Sequence, residues 1–138
     1  MCYVVTEGLS AEIQKDGLTE EQLQTDVEVR LRRAGIRVLT LDEVKDSSIK
    51  PALVITVTAL KSDALSKLLE GNIYCYSISL ELKQAASLPR MPSNIFLVTT
   101  WNDAAIGFAT VKSVRAIREG LGDYVDKFAN DFLTVNPK

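Results

Sequence analysis

The chain has 138 residues, 46% hydrophobic and 25% charged, and its 16 Lys and Arg against 18 Asp and Glu leave a net charge of −2. That composition predicts one globular domain spanning 1–138, long enough to bury roughly two-thirds of its extended surface without metals or several disulfides. With no histidine and only Cys2 and Cys75 as cysteines, His-based acid/base chemistry, Ser-His-Asp and Cys-His nucleophiles and Cys/His zinc sites are excluded.

In chain order, Tyr3-Val4-Val5 reads as a first strand. Leu9, Ala11 and Ile13 suggest that the extended segment continues, bent at Gly8, as far as Lys15-Asp16-Gly17. Thr19 and Gln22 then have the spacing of a capping box, and Leu18 and Leu23 flank it as a hydrophobic staple. Leu23, Val27, Leu31 and Ala34 form one apolar stripe, with Gly35 placed for a left-handed C-terminal cap. A helix over 20–34 follows, acidic at its start and basic at its end, as the helix dipole favours.

Ile36 to Leu41 reads as a short strand and 42–50 as a polar stretch before Pro51. Leu53, Ile55, Val57 and Ala59 alternate with Val54, Thr56, Thr58 and Leu60 in a largely buried strand. From Asn72 to Gln84, Tyr74, Tyr76, Ile78, Leu80 and Leu82 point one way, and Ile73, Cys75, Ser77, Ser79, Glu81 and Lys83 the other. Ser87 to Asn94, with two prolines, reads as an irregular loop. Ile95 to Trp101 is the next strand, closed by a turn at Asn102-Asp103. Val114, Ile117, Leu121, Tyr124, Val125, Phe128 and Phe132 then recur at helical spacing up to Asn136-Pro137, with a kink expected at Gly120 and Gly122.

The order β-α-β-β-β-β-α contains a single helical crossover, which joins parallel strands, while strands linked without helices pair antiparallel. The expected fold class is therefore α+β: a two-layer sandwich with a mixed, mostly antiparallel sheet and both helices on one face. The other face is half polar, which is either a solvated surface or a weak interaction surface.

Sites are sparse. The longest apolar run, Ala52–Leu60, is too short to span a bilayer, for which a helix needs about 20 apolar residues. A charge balance near zero supplies no field for nucleic acid or an anionic membrane. Carboxylates such as Glu7, Glu12 and Asp16 show no pairing pattern that points to acid/base work. Neither a G-x-G-x-x-G after a strand nor a P-loop is present, so no cofactor and no metal is implied. Lys112, Arg115 and Arg118 form one basic stripe in the first turns of the last helix, where the dipole disfavours cations. Either acidic neighbours pair with them or they face an acidic partner. Trp101, beside Asn102 at a strand end, is the most site-like aromatic position, and Arg90 adds a charge in the neighbouring loop. A Cys2–Cys75 disulfide would need the two on adjacent strands in an oxidising compartment.

The segment Gly17 to Ile36, the run Tyr74 to Gln84, Thr99-Thr100-Trp101 and the C-terminal Phe-Ala-Asn-Asp-Phe-Leu-Thr-Val-Asn-Pro-Lys together resemble a group of small, often exported bacterial proteins. That group carries no assigned activity and no catalytic residues. The resemblance implies an exported domain after removal of a leader. Cys2 is either an ordinary thiol on the first strand or, placed where a trimmed lipoprotein would carry its acylated cysteine, a residue that fits that implication. The expectation is a non-enzymatic interaction domain of the bacterial cell envelope that binds a protein partner or itself. The alternatives are a small-ligand domain, with a pocket between the sheet and the 87–94 loop near Trp101, and a carboxylate-based hydrolase.

Overall fold

A computed structural model describes residues 1–45 and 49–137, so the middle of the polar stretch 42–50 lies outside the described residues. The elements are β1 (Tyr3–Glu7), α1 (Ala11–Lys15), α2 (Glu20–Arg33), α3 (Leu41–Val44), β2 (Ala52–Lys61), α4 (Asp63–Leu68), β3 (Ile73–Leu88) and β4 (Met91–Thr110). A 3-10 turn (Val111–Ser113) and α5 (Arg115–Val135) close the chain. The fold is α+β, with a sheet of order β1-β2-β3-β4. The β1–β2 pair is parallel, and the β2–β3 and β3–β4 pairs are antiparallel.

The strongest local signals act as their chemistry requires. Thr19 Oγ1 accepts from the Gln22 amide at 3.3 Å, while Gln22 Oε1 accepts from the Thr19 amide at 3.4 Å. At the other end of α2, Gly35 sits at φ +83°. The Gly35 amide donates to the Arg32 carbonyl, and the Ile36 amide donates to that of Leu31. This is a Schellman cap, in which only glycine takes the left-handed position without strain. Leu18, Leu23, Val27 and Leu31 are all buried.

One hydrophobic core lies between the sheet and the helices. Leu53, Ile55 and Val57 of β2 and Ile78, Leu80 and Leu82 of β3 meet Leu23, Val27 and Leu31 of α2 and Ile117, Leu121, Val125 and Phe128 of α5. At Gly122 the Arg30 guanidinium of α2 lies over the glycine, where a Cβ would meet it. No kink forms at Gly120 and Gly122, and α5 runs without interruption across them.

Four local expectations differ from the structure. Ala11 to Lys15 is a short helix rather than more strand, because a single buried residue, Ile13, anchors it. The segment expected as a strand at 36–41 contributes only a parallel bridge between Val38 and Cys2. β4 continues past Asn102-Asp103 to Thr110, and 87–94 is the tip of the β3–β4 hairpin, turning at Pro89-Arg90, rather than a loop. The adjacency that a Cys2–Cys75 disulfide needs is not met: β2 lies between β1, which follows Cys2, and β3, which carries Cys75, and both cysteines are free.

Candidate functional site

The β3–β4 hairpin divides at a bulge. Leu82 pairs with Trp101, but Lys83 pairs with Thr99, so Thr100 is the extra residue. Its hydroxyl lies 2.6 Å from Gln84 Oε1 and 3.3 Å from the Leu82 carbonyl oxygen. A bulge bends its strand and strengthens the local twist. β2 also starts here, since Ala52 pairs with Lys83. Beyond this root the two strands run on as a free arm.

The arm is apolar and uncovered. Leu88, Met91, Ile95, Phe96, Leu97 and Val98 are all exposed, with Ile95 at 63% and Leu97 at 59%. Pairing places Ile95, Leu97 and Thr99 on the side that continues the open sheet face, and Phe96 and Val98 on the side that continues the helix-covered face. In its 20 residues β4 carries a single charge, Asp103. Asp103 lies on the helix side, where Lys127 reaches it at 2.5 Å and holds its carboxyl below the usual carboxylate range.

At the root, α5 and the sheet enclose a cleft of about 610 Å³. Trp101, Phe128, Phe132 and Leu82 form its apolar wall, with Gln84, Thr100 and Asp131 at its polar edge. Trp101 is held from two sides: its ring meets Phe128 edge to face at 5.0 Å, and its Nε1 donates to Asp131 at 2.9 Å. Residues 87–94 lie at the arm tip and do not line this cleft. The pocket expected between the sheet and that segment therefore takes its second wall from α5.

Of the residues singled out in the sequence, the structure brings together only the basic stripe. Lys112, Arg115 and Arg118 line a small cleft with Asp16 and Gln22. Arg118 also borders the neighbouring cleft between α2 and α5, where it holds Asp26 of α2 in a two-pronged pair, Nε at 2.7 Å and Nη2 at 2.9 Å. Hydrogen bonding to Asp26 raises the Arg118 pKa above its ordinary value. Arg30 pairs similarly with Asp126 at 2.6 Å, so the α2–α5 seam is stitched by two ion pairs. Asn102 lies on the open sheet face, opposite in sense to Trp101, and Arg90 is at the arm tip, remote from the basic stripe.

On the open face Cys75, Ser77, Ser79, Glu81 and Lys83 are half-buried and Ile73 is buried. β4 adds Ile106 and Phe108, which are strongly exposed beside Leu60. These two and the arm escape a reading of the sequence, because Asn102-Asp103 and Pro89/Pro92 look like breaks in it. The signal that finds them is the alternation of Ile106 and Phe108 with Gly107 and Ala109, which continues the two-residue period through Asn102-Asp103. Burial pushes the Cys2 thiol up to about 11. No three His, Cys, Asp or Glu side chains among the described residues converge as metal ligands, and no described helix is long and apolar enough to cross a membrane.

No family model and no curated protein matches the chain.

Proposed function

We propose that this chain is a non-enzymatic interaction domain of the bacterial cell envelope, and that the β3–β4 arm is its binding element. The observation that carries the reading is the arm itself. A two-stranded ribbon exposed on both faces is marginally stable in water on its own, and this one presents apolar side chains on both faces with no charge between Met91 and Asn102. Natural proteins blunt a free edge with charges, prolines or a covering element. Here Pro92 guards the tip and nothing guards 95–99. An extended partner can add a strand to such an edge, taking affinity from main-chain bonds and specificity from alternate side chains. The envelope setting rests on the resemblance carried by the segments quoted above.

A photo-crosslinking amino acid at Phe96, compared with one at Glu21 on the exposed side of α2, tests the reading in the producing bacterium. Discrete protein adducts at position 96 and none at 21 are expected. Absence of adducts at 96, or equal adducts at both positions, overturns it.

The second reading, a small-ligand domain, is favoured by the Trp101 cleft, which joins an aromatic wall to the Asp131 carboxylate and the Gln84 amide.

A further inference from the structure

We propose that the occupant of the arm is a second copy of this chain, paired antiparallel and edge to edge through Ile95–Thr99 about a two-fold axis at Leu97. The inference rests on the interaction reading and names its partner.

The register follows from two irregularities. On the tip side, Leu88 pairs with Met91 and the next pair is Ser87 with Ile95, so Pro92, Ser93 and Asn94 bulge out of the ladder. On the root side Thr100 is extra. Between these interruptions lies one regular run, Ile95-Phe96-Leu97-Val98-Thr99, whose midpoint is Leu97. A two-fold axis normal to the sheet keeps each side chain on its own face. It therefore requires paired residues of the same parity, and an axis at Leu97 satisfies this: Leu97 meets Leu97, Phe96 meets Val98 and Ile95 meets Thr99. Every apolar residue of one edge then meets a β-branched or apolar residue of the other, the pairing that stabilises strands.

Charge and register favour a copy over an unlike partner. The run itself is uncharged, so two identical edges approach without repulsion. In this register the tip of one arm lies along the root of the other: with the bulged residues out of the ladder, Met91 is level with Trp101 and the turn at Arg90 with Asn102 of the second copy, one step from Asp103 and next to the Trp101 that holds Asp131. Arg90 and Asp131 have no ion-pair partner in their own chain among the described residues, whereas Asp103 is held by Lys127 and Glu81 by Lys83. The arrangement is isologous, as in most homodimers. The regular run supplies five residues a side, well short of the roughly 20–30 of a standard interface, so a weak dimer that dissociates at micromolar protein is expected.

The test is done on the purified full chain. Light scattering from about 1 to 500 μM is expected to show the mass moving from one chain toward two, and Leu97→Lys is expected to hold it at one chain with unchanged circular dichroism and melting temperature. In a Cys75→Ser background, Leu97→Cys is expected to form a disulfide-linked dimer under mild oxidation. Thr99→Cys, on the same face, is expected not to, since its own copies would sit about 14 Å apart. A monomer across the range with no Leu97→Cys dimer overturns self-pairing, and so does a dimer abolished by Phe108→Lys but not by Leu97→Lys. The interaction reading fails separately, through the absence of Phe96 adducts in cells; adducts to another protein alongside a monomeric chain preserve that reading while ending this one.

Discussion

The same two strands live in two environments. Between Ile73 and Leu82, β3 contributes Tyr74, Ile78, Leu80 and Leu82 to a core sealed by α2 and α5, whereas from Ala85 to Leu88 every residue is exposed. Dimensions account for the difference. At about 1.5 Å per residue, the 21 residues of α5 reach roughly 30 Å. At about 3.3 Å per residue, the 16 residues of β3 reach roughly 50 Å, and β4, whose four additional residues lie in its bulges, runs the same length. The helical layer is shorter than the hairpin beneath it, and the surplus strand becomes the arm. Apolar side chains therefore do two jobs in one hairpin: in the body they supply folding energy, and in the arm they are surface available to a partner.

The sharpest way to break this comparison is to truncate one phenylalanine in each region. Phe128 is 1% exposed and packed against Trp101 and Phe132, so Phe128→Ala removes a buried ring and leaves a cavity. It is expected to cost about 3–5 kcal/mol in urea unfolding. Phe96 is 41% exposed, and Phe96→Ala is expected to cost under about 1 kcal/mol at dilute, monomeric protein. Comparable losses at the two positions would mean that the arm is buried against the body in solution.

A second contrast separates two glycines of α5. At Gly122 a new Cβ meets the Arg30 guanidinium, the movable end of a half-exposed side chain that pairs with Asp126, so Gly122→Ala is expected to swing Arg30 aside and to lose that surface pair, worth under about 1 kcal/mol, against the helix-propensity gain. At Gly120 the nearest atom, Ile78 Cδ1, stands 4.0 Å from the Cβ position. Gly120→Ala is expected to stabilise by about 0.5–1 kcal/mol through helix propensity and lost unfolded-state entropy. A smaller gain at Gly122 than at Gly120, read as urea midpoints, measures what displacing Arg30 costs.

Much of the body is legible in sequence because periodicity reports burial. The Leu23-Val27-Leu31 stripe and the alternation from Tyr74 to Leu82 each identify a core-facing side, and Leu23, Val27, Leu31, Tyr74, Ile78, Leu80 and Leu82 are buried; the exposed Thr19/Gln22 cap is legible instead through its hydrogen-bonding chemistry. Reading failed where burial was absent. The arm has apolar residues on both sides, so its alternation carries no inside or outside, and Pro89 and Pro92 look like loop residues although one sits in the turn and the other in a bulge. Asn102-Asp103 looks like a turn because both residues disfavour strands. In the structure Asp103 stays within β4 because Lys127 of α5 satisfies its carboxylate. Such a partner, 24 residues away, is invisible to local patterns.

The Asp103–Lys127 pair sits near the point where body becomes arm, and it offers the smallest and most local test. Lys127 holds the Asp103 carboxyl below the ordinary range, and Asp103 in turn holds the Lys127 ammonium above its own. For the carboxylate, the folded pKa is depressed. Its stabilisation is therefore complete above the unfolded value near pH 4 and is lost as pH falls through the lower folded value. For the lysine the sense reverses: its contribution is complete below about pH 10 and is lost as pH rises through the raised folded value. Both groups are at the surface, so the effect is expected to be smaller than that of Gly120→Ala and to shrink with added salt. Asp103→Asn is expected to flatten the acid limb of melting temperature against pH near pH 4 while leaving the Phe128 core intact. It is also expected to speed amide exchange in 100–104 before any change in 117–128, because the clamp holds the root of the arm rather than the helices. Exchange that quickens first in 117–128 would place the pair in the body, and the boundary between the two regions would then lie beyond Thr100.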